Sequence, residues 1–329
     1  CRELPSPRRG SGSIRLKYCH FAQEIICRRL TLNMQEKEKM GFQIITDSAS
    51  DIPQETAARW GVTVMPIHLR FGEEEYLDGV TLSPHQFFDK LVESDDLPRT
   101  SQVTPYEFGQ EFQKAADAGE GVLCITMSSG VSGTSQSACA AAAPYGDRAI
   151  VIDSGQFCIS LYVLVEYACR CRDAGKTLEE TAALIEKAKR RVHVISIFAT
   201  LEYLKLGGRI SAAAALAGNI LSIKPVITIT DGVVDVIGRA RGFKKAHKML
   251  ADFIRRVGDI DHAMPSCFGY TGFSEEALVK YVNEYAMSFK EALSILPIVP
   301  VGATVGTYAG PDAVALAFFD DSCKAEVSK

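Results

Sequence analysis

The chain has 329 residues, of which 47% are hydrophobic and 23% charged, with a formal net charge of −4. That length suffices for two modest domains with large cores, and the composition is that of a soluble globular protein. The small negative charge gives no general reason to expect a nucleic-acid binder, and no apolar run is long enough to span a bilayer.

The charge is unevenly spread. Residues 1–40 carry nine Lys/Arg against four Asp/Glu, which leaves the remainder at −9. The opening segment begins at Cys1, contains Arg8-Arg9-Gly10-Ser11-Gly12 and has no apolar run of signal-peptide length. Residues 1–39 therefore read as an extension outside the fold, disordered by composition. A basic nucleic-acid or membrane arm is disfavoured, because its charges do not gather on one helical face.

From Gly41 strand and helix patterns alternate. Phe42–Thr46 is a short apolar strand ending in Asp47-Ser48-Ala49-Ser50-Asp51. Ser50 or Asp51 is expected to cap the next helix, with Pro53 in its first turn. Val62–Arg70 reads as one strand, and Glu73–Tyr76 with Asp78-Gly79 as a hairpin region. Helices are expected over Pro84–Val92 and Pro105–Ala118. Gly121–Met127 is a buried strand, followed by a small-residue loop, a helix from about Ser132 and the strand Ala149–Asp153.

Strands separated by helices of this length imply βαβ crossovers and a mainly parallel sheet. Ligands in such folds sit beyond the C-terminal strand ends. The loops Asp47–Asp51, Ser128–Thr134 and Asp153–Gly155 fall there.

The second half has a different texture. Helical segments near Phe157–Asp173 and Thr177–Arg191 lead to the strand His193–Thr200. An Ala-rich stretch precedes the strand Pro225–Thr230, and Asp231-Gly232 is a two-residue hairpin signal with Val233–Ala240 as the return strand. Lys244–Val257 is a basic amphipathic helix, and Cys267–Tyr270 and Val305–Tyr308 read as further strands. A hairpin in a helix-rich frame implies a mixed sheet. The chain thus divides into the extension 1–39, a parallel-sheet α/β domain over 40–173 and a mixed-sheet α/β domain over 174–329.

The ten cysteines are scattered, with no C-x-x-C pair. They read as reduced, buried small hydrophobes of a cytoplasmic protein, and their spacings disfavour a metal site.

The strongest local signal is Met127-Ser128-Ser129-Gly130-Val131-Ser132-Gly133-Thr134-Ser135-Gln136-Ser137. It follows a buried strand and opens a helix. Unpaired N–H groups and small residues there can cradle a carboxylate or phosphate. Read alone, the loop is as much a helix cap as a cradle. It lacks the Lys of a phosphate-binding P-loop, and Thr134 stands where a nucleophile elbow needs its last Gly. A serine hydrolase built on Ser132 would also need a paired His, and the six histidines show no telling spacing. The second signal, Pro98-Arg99-Thr100-Ser101-Gln102-Val103-Thr104-Pro105, is by itself a helix cap more often than a site.

These two segments and Asp47-Ser48-Ala49-Ser50-Asp51 together resemble the DegV family. So do Val151-Ile152-Asp153-Ser154, Leu201–Lys205 with Gly207-Gly208-Arg209-Ile210-Ser211, Ile223-Lys224-Pro225, Arg239–Ala246 and Gly306–Pro311, in family order from about Phe42 to Phe319. The resemblance implies a two-domain α/β protein that buries a long-chain fatty acid between its domains. It also implies a partner: the separate catalytic subunit of a fatty acid kinase, which phosphorylates the bound carboxylate for phospholipid metabolism. No cofactor beyond the bound acid is implied, and membrane contact would be only transient.

By position in the motifs, Thr100, Ser132, Gly133 and Tyr308 would hold the carboxylate. Ser129, Ser101 and Arg209 would lie near the head group, and Arg241 would dock the kinase. Two residues depart from the pattern, Tyr308 and Asp312, the latter standing where Gly is usual. Family members commonly carry His where this chain has Tyr308, and Tyr can donate a hydrogen bond but carries no positive charge. The alternatives are a Ser-dependent acyl hydrolase, or a lipid carrier or sensor with no kinase partner.

Overall fold

The computed structural model describes residues 41–94, 96–210, 223–286 and 291–322. The expected extension 1–39, Cys323, Ser211 and the apolar stretch Ala212–Leu216 with residues 220–222 lie outside the described residues.

The first sheet is fully parallel. Strands β1 (Phe42–Asp47), β2 (Val62–Met65), β6 (Gly121–Thr126) and β7 (Ala149–Asp153) stand in the order β2-β1-β6-β7. Every residue of β6 is buried, as expected for a strand covered on both faces. Between β2 and β6 the chain builds a small antiparallel sheet, β4-β3-β5, from His68–Phe71 (β3), Glu74–Leu77 (β4) and Arg99–Ser101 (β5). The expected single strand Val62–Arg70 is therefore two strands in two sheets. Pro66 explains the break: it has no N–H to continue a ladder.

The helices of this half are α1 (Gln54–Trp60), α2 (Pro84–Glu93), α3 (Pro105–Asp117) and α4 (Thr134–Ala142). Ser83 with Gln86 and Thr104 with Glu107 form capping boxes ahead of α2 and α3, each followed by Pro in the first turn. The expected cap of α1 by Ser50 or Asp51 does not form. Pro53 holds the cap position without a side-chain bond, and the Asp51 carboxylate instead accepts the Gly302 N–H at 2.8 Å. α4 starts two residues later than expected, at Thr134.

Helix α5 (Ile159–Asp173) buries ten of its fifteen residues. It packs on β1 on one side and on β8 (Val192–Ile197), β11 (Cys267–Tyr270) and β13 (Val314–Phe319) on the other. α6 (Leu178–Ala188) follows, with a Thr177–Glu180 capping box. The second sheet is mixed, in the order β10-β9-β8-β13-β11-β12, with β9 at Ile223–Thr230, β10 at Val233–Arg241 and β12 at Ile298–Pro300. Asp231 and Gly232 both have positive φ (51° and 77°), the type I′ geometry that their sequence signalled. α7 (Glu202–Leu206) leads away from β8, and α8 (Phe243–Val257) and α9 (Glu276–Tyr285) cover the outer face of this sheet.

The expected strand Val305–Tyr308 is helical: α10 spans Ala303–Ala309. Its first N–H groups bond to carboxylates far away in sequence. Asp51 takes the Gly302 N–H, and Asp78 takes those of Ala303 (2.9 Å) and Thr304 (3.1 Å). A four-residue apolar window cannot show such partners, and it does not distinguish strand from buried helix.

Of the six described cysteines, five are buried as expected, but Cys139 is exposed on α4.

Candidate functional site

A cavity of about 410 Å³ lies between the parallel sheet's C-terminal loops and the inner face of the mixed sheet. That volume is in the range of small-molecule sites, roughly 300–1,000 Å³. One end is polar, with Thr100, Ser101, Gln102, Ser132, Gly133, Arg209 and Tyr308 contributing to its wall. The remainder is lined mostly by apolar side chains such as Met127, Phe157, Val194, Phe198, Ile227 and Val301.

The polar end comes from four separate segments. Thr100 is in the middle of β5, one of the two edge strands of the small sheet. Ser132 and Gly133 close the loop after β6, and Arg209 follows α7. Tyr308 is in the last turn of α10, whose N-terminus the two carboxylates hold. The Thr100 and Tyr308 hydroxyls bond each other at 2.7 Å across 208 residues of sequence. The Ser132 hydroxyl bonds the Thr134 hydroxyl at 2.9 Å, and the Thr134 N–H donates to it at 3.3 Å. Arg209 stacks over the Tyr308 ring at 5.0 Å and donates to the Gly207 carbonyl at 2.9 Å.

Two glycines permit these approaches. A Cβ on Gly207 would stand 2.3 Å from the Tyr308 ring, and one on Gly133 only 1.9 Å from the Gln102 amide oxygen. The Gln102 amide nitrogen donates to the Ser137 hydroxyl at 2.9 Å, which fixes the loop before α3 against α4.

A second contact joins the two sheets beside the cavity. The buried Ser128 hydroxyl donates to the Gly232 carbonyl at 2.7 Å, so the β9–β10 turn is bonded to the loop after β6. Ser129 does not line the cavity; its N–H is bonded to the Asp153 carboxylate and its side chain is exposed. Arg241, exposed at the end of β10, is also away from the cavity wall. Six of the eight residues singled out in the sequence thus meet at one cavity, and Ser129 and Arg241 do not.

The sequence reading did not single out a trio of buried carboxyls behind the cavity. Asp78 accepts from the Thr304 hydroxyl (2.5 Å) and the Ser48 hydroxyl (2.9 Å) besides its two N–H donors. Asp47 accepts the Met127 N–H at 2.7 Å and the Ala49 N–H at 3.1 Å. Burial raises Asp47 to about 7, against the opposing pull of those N–H groups. It likewise pushes Asp51 well above the usual carboxylate range and raises Asp78, and the Asp78 charge adds to the rise at Asp51. Asp47 and Asp51 were visible as a strand-end loop. Asp78 had only a turn signal, which says nothing of a link to α10.

Chemically, the polar end offers hydroxyl and amide donors to an anion, with the Arg209 charge beside them. The apolar walls suit a hydrocarbon body. Among the described residues no histidine lines the cavity, so none of them stands beside Ser132 as the proton acceptor a serine nucleophile uses.

Residues 41–321 match the family model described as "Uncharacterised protein, DegV family". A DegV domain-containing protein of Caldanaerobacter subterraneus subsp. tengcongensis is 33% identical over 281 residues, covering 84% of this chain and 98% of that protein. A second, from Deinococcus radiodurans, is 33% identical over 279 residues with the same coverage. Among solved structures, a DegV family protein from Thermus thermophilus, described for its fatty acid binding, superposes with a TM-score of 0.75 at 32% identity. The match covers 85% of this chain and all of that one. DegV from Bacillus subtilis, described as a fatty acid binding protein, superposes at 0.71 with 25% identity, covering 86% and 100%. The matched span, the two-sheet α/β fold and these identities agree: the chain belongs to the DegV family.

Proposed function

We propose that the chain holds one long-chain fatty acid in the cavity and presents its carboxylate to a separate fatty acid kinase catalytic subunit, which converts it to an acyl phosphate. The observation that carries this reading is the cavity's polarity. Apolar walls run up to a cluster of hydroxyls from Thr100, Ser132 and Tyr308. The fatty acid binding described for the Thermus thermophilus and Bacillus subtilis relatives supports the same ligand class.

Burying roughly 14 methylenes at about 0.8 kcal/mol each gives on the order of 11 kcal/mol of gross driving force. An unpartnered buried carboxylate would offset several kcal/mol of that. In this reading the carboxylate takes over the donors of Thr100 and Tyr308, replacing the bond they make to each other. Ser132 and the Gly133 N–H add donors, and Arg209 adds a nearby charge. The carboxylate stays a nucleophile at the cavity's polar end, and the kinase supplies ATP and the catalytic groups. Exposed Arg241, with Lys244, Lys245 and Lys248 after it, forms the docking face for that partner.

Native mass spectrometry of the purified chain tests the binding step: a stoichiometric fatty acid is expected, and a lipid-free spectrum after incubation with fatty acids would refute it. Adding ATP and a fatty acid kinase, with hydroxylamine to trap acyl phosphate, tests presentation. Binding without any trapped product would favour a carrier or sensor with no kinase partner. The hydrolase alternative predicts esterase activity that Ser132→Ala abolishes; the Ser132–Thr134 pairing and the histidine-free lining disfavour it.

A further inference from the structure

Side chains of β8 alternate between two surroundings. Ile195 and Ile197 enter the core under α8 and α9, whereas Val194 and Ser196 line the cavity. The register sets Ser196 directly beside Ile227 of β9 and Ala315 of β13, and both of those also line the cavity. Ser196 is 8% exposed, and among the described residues its hydroxyl has no hydrogen-bond partner.

The threonines of the same walls are all engaged. Thr228 donates to the Val194 carbonyl at 2.7 Å, Thr271 accepts the Ala313 N–H at 2.8 Å, and Thr304 donates to Asp78. Ser196 is therefore a buried hydroxyl set between apolar neighbours and open to the cavity. Such a group is unfavourable unless something bonds it. Water can do so while the cavity is empty, but an unbroken saturated chain laid over Ser196 displaces that water and leaves the hydroxyl stranded.

We propose that Ser196 is a specificity-determining residue, and that the preferred ligand is a long-chain fatty acid carrying a hydroxyl or keto oxygen along its chain. The inference rests on the fatty-acid reading and narrows it. A serine hydroxyl both donates and accepts, so it suits either oxygen. A site that hydrogen-bonds a ligand oxygen also discriminates against the analogue that lacks it.

The test measures dissociation constants for stearate, for hydroxystearates differing in hydroxyl position and for the matching ketostearates, with the wild type, Ser196→Ala and Ser196→Val. At least one oxygenated isomer is expected to bind the wild type about tenfold more tightly than stearate. Both variants should bring that ratio close to one while still binding stearate, which reports an intact fold. Wild type that binds stearate with no preference for any oxygenated isomer would overturn the inference and leave the fatty-acid reading standing. A preference that survives in both variants would overturn the role of Ser196. Wild type that binds none of these acids would overturn both.

Discussion

Tyr308 combines three constraints: its hydroxyl bonds Thr100, its ring lies under Arg209, and it fits only because residue 207 has no Cβ. If it holds the carboxylate, Tyr308→Phe removes one donor and keeps the ring. Affinity for a fatty acid is then expected to fall roughly tenfold to a hundredfold, the range for a hydrogen bond to a charged group. Thr100→Ala and Ser132→Ala should each weaken ligand retention as well. Fluorescent fatty-acid displacement reads all three, and unchanged affinity in the set would remove the hydroxyls from the head-group site. In the sequence, patterning alone marks only the small-residue loop of Ser132 as a possible anion cradle; Thr100, Tyr308 and the head-group role of all three come from the resemblance to the DegV family. Ser196 is not legible, because one serine inside an apolar strand looks the same whether its neighbour is core or cavity.

Among the elements, α10 is the one whose position depends most on distant groups. Its seven residues carry both Thr304 and Tyr308 to the cavity, and its N-terminus is held by Asp51 and Asp78. Asp78→Ala strands two N–H groups and two hydroxyls, so a loss of about 2–5 kcal/mol in urea denaturation is expected. Ligand retention should fall with it.

Asp47 gives a pH signature. Its carboxyl rises from 3.8 in the unfolded chain to about 7 when folded, so between those values the folded state holds the extra proton. Its stabilising contribution is complete below the unfolded value and is lost as pH rises through the folded one. Asp51 and Asp78, also raised, act in the same direction. Asp47→Asn carries no charge to bury, so its melting temperature relative to wild type should improve from about pH 5 to about pH 8. A difference that does not move with pH would contradict the buried-carboxyl account.

The same elements show what sequence patterning can and cannot resolve. β6 and β7 were readable because each is a short apolar run bounded by turn residues, and α2 and α3 because capping residues precede a proline. The break after Met65 is marked locally by Pro66, which has no N–H, and the strand was read through it, whereas the helicity of α10 was missed because its N-terminal partners lie 225 to 251 residues away.

At the scale of the whole molecule, Arg241 lies outside the cavity wall, on a basic face that ends β10 and opens α8. Arg241→Ala is therefore expected to leave fatty-acid retention unchanged and to slow acyl phosphate formation with the kinase. Wild-type transfer kinetics in this variant would remove the docking role.

The strand order of the mixed sheet has a bearing on how the protein is made. β13 is the last strand of the described chain, yet it stands in the middle of its sheet, hydrogen-bonded to β8 on one side and β11 on the other. Its residue Ala315 lines the cavity. On the ribosome, β8 paired to β9 and β11 paired to β12 each keep one edge open until β13 has been translated, a late closure typical of slow, non-local folding. A nascent chain stopped anywhere before Val314 has two half-sheets with a gap between them, so the cavity cannot close until β13 is in place.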